Sequence, residues 1–243
     1  MKVFLSALEN GNNELILKRV KMLYNLMSFY YIKGKRKLAE EIRDKSELIM
    51  IDSGAHSFQK GTKVNWVEYT YQYAQFIKEF DRPNVVGYFE MDVDNIIGYD
   101  KVLELRKILE SVSDKIIPVW HKNRGLDDFK NMCKQYSGKV IAITGFKNED
   151  IKDDQYLMFL KYAKQHNCKV HCLGMTRKSI LDKVPFDYVD SSSWRQSGIF
   201  GRCRGKQIDH NFSKQNYSTV FLATYLEGVE MQKYYKKLWR NYE

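Results

Sequence analysis

Phe186-Asp187-Tyr188-Val189-Asp190-Ser191-Ser192-Ser193-Trp194 is a short apolar strand that ends in an acid and runs into three hydroxyl residues and an aromatic. Tyr188 and Val189 favour extended backbone, and Pro185 just upstream cannot donate to a ladder, so it marks where the strand begins. An aspartate where a strand gives way to a loop is the position from which a β/α barrel does its chemistry, because active sites there lie at the C-terminal strand ends. Taken alone, Asp190 has a plainer reading as the N-cap of a following helix, a position that Asp and Ser both favour. The rest of the chain decides between the two.

Working outward, short β-branched runs recur at 3–6, 48–52, 85–91, 116–121, 140–144, 169–173 and 188–190. Helical spacing fills the intervals at 14–31, 65–80, 100–112, 126–136, 150–165 and 177–183. Such alternation predicts parallel strands with crossover helices. A weak eighth strand is expected at 206–209, and a long helix at 217–240. The expected fold is therefore α/β, a (β/α)8 TIM barrel in a single domain over 1–243. The barrel takes about 1–210, and a C-terminal helical segment takes about 213–240. The basic stretch 33–37 reads as a solvated loop. No Gly-x-Gly-x-x-Gly follows the first strand, so an open dinucleotide-binding sheet lacks its main signature.

At 243 residues the chain has the usual length of such a barrel, about 250 residues. No apolar run approaches the roughly 20 residues of a membrane span, and Met1–Leu5 is too short for a signal peptide. Cys133, Cys168, Cys172 and Cys203 are few and scattered, which fits reduced thiols in a cytoplasmic protein. Forty Lys and Arg stand against thirty Asp and Glu, a formal +10, and this surplus favours a polyanionic partner such as nucleic acid.

Three strand ends carry acids. The second run ends Ile51-Asp52-Ser53-Gly54-Ala55, the third Glu90-Met91-Asp92-Val93-Asp94, and the last ends at Asp190. One such Asp is ordinarily a turn or cap residue. Three on one face of a barrel place several carboxylates around one mouth, an arrangement that functional sites use and stability does not require.

These residues resemble a known family, the guanine transglycosylases, which exchange a guanine in nucleic acid for a 7-deazaguanine. Asp52-Ser53-Gly54-Ala55 with Phe58-Gln59 is similar to the family's Asp-Ser-Gly-Gly/Ser-Phe-Gln segment. Ala142-Ile143-Thr144-Gly145-Phe146 is similar to its Ala-Ile-Gly-Gly-Leu strand end, and Leu173-Gly174-Met175-Thr176 to its Met-Gly-Val-Gly-Thr turn. Asp187-Tyr188-Val189-Asp190-Ser191 resembles the segment whose second aspartate is the nucleophile. The matches keep the family's order from Asp52 to about Trp194. There are departures. His56 and Ser57 are inserted before Phe58-Gln59. The three Cys and one His that hold zinc in the tRNA-acting members are reduced to Cys203 and His210. Cys168 and Cys172, four apart on a strand, are too distant to share an ion. The archaeal RNA-binding domain has no counterpart. The chain thus looks like the phage and bacterial branch that acts on DNA, with no cofactor and no structural zinc.

The resemblance implies a role for each residue. Asp190 is the nucleophile that forms a covalent glycosyl-enzyme, as in retaining glycosidases, and Asp52 is the general acid and base. Asp92, with Asp94 in reserve, takes the purine edge. Ser53, Gly54, Gly145, Leu173 and Gly174 line the base pocket, and His121 faces the same mouth. A base cannot react inside a duplex and must be flipped out, a cost that phosphate contacts offset. The nearest candidates for those contacts are Arg195, Arg202, Arg204 and Lys206, with Trp194 either a stacking platform or a buried residue over the barrel end. Lys233, Lys236, Lys237 and Arg240 form a second strip that reads equally as a solvated helix face. The expected partners are DNA, with tRNA as the alternative polymer, and a free preQ0-type base. A homodimer or partner subunit is left open. Competing readings are a noncatalytic nucleic-acid-binding barrel and a hydrolase of small glycosides.

Overall fold

The computed structural model describes residues 1–11, 13–58, 64–144, 151–208 and 217–242. Nine strands form one parallel sheet: β1 Lys2–Ser6, β2 Met22–Ser28, β3 Ser46–Asp52, β4 Val85–Phe89, β5 Ile116–Ile117, β6 Val119–Trp120, β7 Val140–Thr144, β8 Lys169–Leu173 and β9 Tyr188–Ser191. Their order is β5-β4-β3-β2-β1-β9-β8-β7-β6. The two terminal strands of that series, β5 and β6, are separated in the chain by Pro118 alone, so the sheet curls round into a nearly closed barrel. Proline has no N–H to give the ladder. Its carbonyl still accepts the Ala142 amide at 2.9 Å, while the next amide, Val119 N–H, turns to the Glu90 carboxylate at 2.6 Å.

That carboxylate is itself buried and gripped by Arg106, whose Nε donates to Oε2 at 2.6 Å and Nη2 to Oε1 at 3.0 Å. Planar fork-to-fork pairing of this kind gives direction as well as strength. Glu90 thereby supports the wall where the ladder is interrupted.

The barrel interior is filled by Phe4, Tyr24, Leu26, Met50, Phe89, Ile117, Val119, Ala142 and Tyr188. Alternate residues of the same strands face outward onto helices Trp66–Phe80, Tyr99–Glu110, Gly125–Gln135 and Tyr156–Gln165. Strands buried on both faces carry apolar side chains in both registers, which is why β1 and β3 read as near-continuous apolar runs. Helix Trp66–Phe80 begins on a reciprocal cap. The Asn65 side chain accepts the Glu68 amide at 3.2 Å and donates toward the Glu68 carboxylate at 3.4 Å. The long helix Tyr217–Leu238 lies across β1 and β2, and its Gln232 Nε2 donates to the carbonyls of Val3 (2.8 Å) and Tyr24 (2.6 Å).

Two expectations change. The helix expected over 14–31 is a short helix Glu14–Arg19, then strand β2, then a single turn Phe29–Ile32. Met22-Leu23-Tyr24-Asn25-Leu26-Met27 is rich in residues that favour helix, but pairing with β1 on one side and β3 on the other overrides local preference. The strand expected at 206–209 is not part of the barrel. Lys206–Gln207 pairs antiparallel with Arg202–Cys203 in a small exposed hairpin, and its turn residues Arg204 and Gly205 both have positive φ, 50° and 72°. Asp209 falls outside the described residues. The basic stretch 33–37 is, as expected, an exposed loop between two helices through Lys35, and its last two residues begin helix Arg36–Lys45.

Candidate active site

A cavity of about 700 Å3 opens at the C-terminal ends of the strands, within the size range of small-molecule sites. Its wall takes a residue from almost every strand end: Ser6 at β1, Ser28 at β2, Asp52 at β3, Asp92 after β4, His121 after β6, Thr144 at β7, Leu173 at β8 with Gly174 just after it, and Asp190 at β9. The floor is apolar, formed by Leu26, Phe89 and Val119. Asp52, Asp92 and Asp190, separated by up to 138 residues in the chain, thus share one chamber.

Asp190 is held from three sides. Its Oδ1 accepts the Gly174 amide at 2.8 Å and His171 Nε2 at 3.0 Å, and Ser6 Oγ lies 3.4 Å from Oδ2. His171 is wholly buried on β8, among the rings of Phe4, Phe89 and Tyr188. With its proton on Nε2 for Asp190, its Nδ1 has no hydrogen-bonding partner among the described residues. This imidazole fixes which way the carboxylate faces. Because Gly174 has a positive φ of 64°, the chain can turn sharply enough to aim its amide at the same oxygen.

Asp52 is set by the turn that follows it. Gly54 N–H donates to Asp52 Oδ2 at 2.9 Å, and Gly54 sits at φ +77°. A Cβ there would lie 2.4 Å from Tyr30 Cβ and 2.7 Å from Ser28 Oγ, so glycine is required both by conformation and by space. The next turn, Ala55–Phe58, ends in Phe58, which packs edge-on against Tyr30, Trp66 and Tyr69 and anchors the loop.

Asp92 Oδ1 is 2.6 Å from His121 Nε2. Burial lowers the affinity of the His121 ring for a proton, but the Asp92 hydrogen bond and charge, joined by Asp94, outweigh it and hold the imidazole above its ordinary value. The pair presents a carboxylate and an imidazole side by side to the chamber. Asp92, Asp94 and His121 each bring a donor atom within 4.8 Å of the others, close enough to hold a cation. One Asp94 oxygen, however, already accepts Arg124 Nε at 3.1 Å.

The other expected residues divide. Asp94 does not line the cavity. It is buried under Arg124 and also accepts the Asn95 amide, so it braces the β4 loop. Ser53 and Gly54 lie behind the wall rather than in it: Ser53 is buried with its carbonyl taken by Tyr69 Oη at 2.8 Å, and together they shape the turn that presents Asp52. Leu173 and Gly174 line the cavity, whereas Gly145 falls outside the described residues. Trp194 is buried, donates Nε1–H to the Ser6 carbonyl at 2.8 Å and packs on Phe221 and Tyr225, which removes its face from any stacking base. Arg195 Nη2 donates to the Asn10 carbonyl at 2.6 Å and the guanidinium covers the Phe221 ring. Arg204 pairs with Glu230 at 2.9 Å, while Arg202 and Lys206 are exposed on the hairpin. None of these four cations lines the cavity.

Sequence reasoning passed over Ser6, His171 and above all Glu9. Glu9 lines the cavity yet is 1% exposed. Its Oε1 accepts the Ser28 amide at 3.0 Å, and its Oε2 meets no well-aligned donor among the described residues. Burial pushes its carboxyl up to about 7; the Ser28 amide, Glu9's own amide and Arg195 oppose this and the Asp52 charge adds to it. Its only sequence signal is an acid three residues past the end of the first strand.

No family model matches the chain, and no curated protein matches it. No helix among the described residues is long and apolar enough to cross a membrane.

Proposed function

We propose that this protein is a transglycosylase that exchanges a guanine in nucleic acid, DNA in the first instance, for a free 7-deazaguanine base. Counting β5 and β6 as one stave interrupted at Pro118 makes the barrel eightfold, a single catalytic unit with a C-terminal helix. The observation that carries the reading is the meeting of Asp52, Asp92 and Asp190 in one chamber at the strand ends, in the order and surroundings that the sequence resemblance implies.

The chemistry follows from what each group can do. An Asp190 oxygen bonds to C1′ of the target nucleotide as the bond from C1′ to the base breaks, giving a covalent glycosyl-enzyme. His171 and Gly174 N–H hold the carboxylate in one orientation for that attack. The departing guanine keeps the electron pair and needs a proton, and Asp52 is placed to deliver it and to recover one from the incoming base. Asp92, oriented by His121, accepts from the N–H groups of the purine edge. Leu173 supplies apolar wall. The formal +10 charge supports a polyanionic substrate, and the reduced zinc motif favours DNA over tRNA.

The test is incubation of DNA, and separately tRNA, with enzyme and labelled guanine or preQ0-type base, then digestion and mass analysis of the nucleosides. Label should enter DNA, and Asp190→Asn should abolish entry without unfolding the protein. Label in tRNA alone would change the polymer, and near-normal exchange by Asp190→Asn would remove the nucleophile.

A further inference from the structure

Glu9 is a buried acid that the roles assigned so far leave idle. Its position is defined by Ser28. In the barrel wall Ser28 at the end of β2 lies opposite Asp52 at the end of β3, and the same Ser28 donates its amide hydrogen to Glu9 Oε1. One backbone residue is thereby flanked by both carboxyls, and each of them lines the cavity. On the other side, β1 carries Ser6, whose hydroxyl approaches Asp190, three residues before Glu9. Asp190, Glu9 and Asp52 therefore follow one another round one side of the mouth.

The local surroundings of the two carboxyls differ. Asp52 accepts the Gly54 amide on Oδ2. Glu9 has its second oxygen buried with no well-aligned donor among the described residues, and a buried acceptor without a donor is costly unless it is protonated or meets a ligand. The charged groups that face it are few. Arg195, from helix Ser193–Ile199, spends one nitrogen on the Asn10 carbonyl, and Lys35 Nζ reaches only the Glu9 carbonyl, at 3.5 Å. Asp52 faces it with like charge, and Tyr31 lines the cavity beside it. Two neighbouring carboxyls, one buried and one held by a backbone amide at the cavity wall, are the arrangement in which an acid and a base work together.

We propose that Glu9 and Asp52 form the acid–base pair of the base exchange, with Glu9 storing the shared proton from one turnover to the next. This rests on the transglycosylase reading above and goes beyond it in assigning the proton. At the start the pair holds one proton and Asp190 is a carboxylate. In the first half-reaction the Asp190 oxygen bonds C1′, the bond from C1′ to guanine breaks with its electrons on guanine, and the pair gives its proton to guanine. In the second, the incoming base loses its N–H proton to the pair, its nitrogen bonds C1′, and Asp190 leaves as a carboxylate. The pair ends as it began, so neither water nor any further reagent is consumed.

A bland role is separable, because Glu9 could serve only as an acceptor for the Ser28 amide. Glu9→Gln keeps that acceptor and cannot carry the proton. Exchange of labelled guanine into DNA is measured for wild type, Glu9→Gln and Glu9→Asp from pH 5.5 to 9, with melting temperatures as a folding control. Storage of the proton predicts a loss of about 100-fold or more in Glu9→Gln at neutral pH. It also predicts disappearance of the limb of the pH profile near 7, and partial rescue with a displaced limb in Glu9→Asp. Glu9→Gln within threefold of wild type with the same profile would overturn the proposal while leaving base exchange intact. If Glu9→Gln does not fold, the profile of Glu9→Asp decides, and a limb identical to wild type overturns it. Wild-type protein that exchanges no base into DNA or tRNA would refute the exchange itself, and this role with it.

Discussion

Arg106→Met should damage the barrel more than any surface substitution, and the structure says by how much. Glu90 is wholly buried, and its two oxygens take three hydrogens: two from Arg106 and one from the Val119 amide beside the Pro118 gap. Methionine fills similar space but leaves the carboxylate with one donor and only the more distant charge of Arg124. Breaking a buried pair from one side costs roughly 3–5 kcal/mol, a large share of the ~5–15 kcal/mol that holds a domain together, and lowers the melting point by roughly 6–20 °C at this size. Urea unfolding followed by tryptophan fluorescence reads the difference. The double variant Glu90→Gln with Arg106→Met removes the stranded charge and keeps an acceptor for Val119 N–H, so it should recover at least ~1 kcal/mol of the loss. There is also a pH signature. Burial pushes the Glu90 carboxyl up and Arg106 opposes it; without Arg106 the folded value rises further above the unfolded one. A carboxyl raised in the folded state contributes stability fully below the unfolded range, about 4.3, and loses it as pH climbs through the folded value. Arg106→Met should therefore be nearest to wild type in acid and furthest from it at alkaline pH. A variant within 1 kcal/mol of wild type, or a double variant no better than the single, would show that the pair does not support the wall.

Three further outcomes are expected. Gly54→Ala forces a side chain into positive φ and into contact with Tyr30; the two effects together cost roughly 2–5 kcal/mol, and exchange should fall because the Asp52 loop moves, whereas unchanged stability would place the loop differently. Glu9, raised to about 7 from an ordinary 4.5, makes wild-type stability decline by about 3 kcal/mol as pH rises from 4.5 through 7; Glu9→Gln should lack that decline in urea unfolding at pH 5 and 8, and parallel curves would refute the burial cost. Affinity for a single-stranded DNA oligonucleotide should fall steeply between 50 and 200 mM salt (roughly ten-fold or more,), and a flat response would detach the positive charge from the substrate.

The three acids of the site were legible because a strand that ends in aspartate announces itself locally: Asp52, Asp92 and Asp190 each follow a recognisable apolar run. What escaped depended on partners far away in the chain. Nothing near Trp194 shows that its indole nitrogen is claimed by the carbonyl of Ser6, nor does anything near Asp94 show that Arg124 is folded over it. Each was read from type and position, and each turned out to be a brace. β2 was hidden for a different reason. Its Leu and Met residues suit a helix, and only the two neighbouring strands make it extended. Glu9 has a plain sequence signature, an acid past a strand, but its significance lies in being buried with one oxygen short of a well-aligned donor, which no window of sequence reveals.

The interruption at Pro118 has a mechanical consequence. A cylinder of uninterrupted ladders resists distortion equally all round; this one has a break in its ladder at Pro118, where the Glu90 side chain takes the Val119 amide in place of a neighbouring strand. Val119, immediately after the proline, lines the chamber, and His121 follows two residues later. The Glu90–Arg106 clasp thus fastens the near end of the stave that carries His121, while β7 holds its flank.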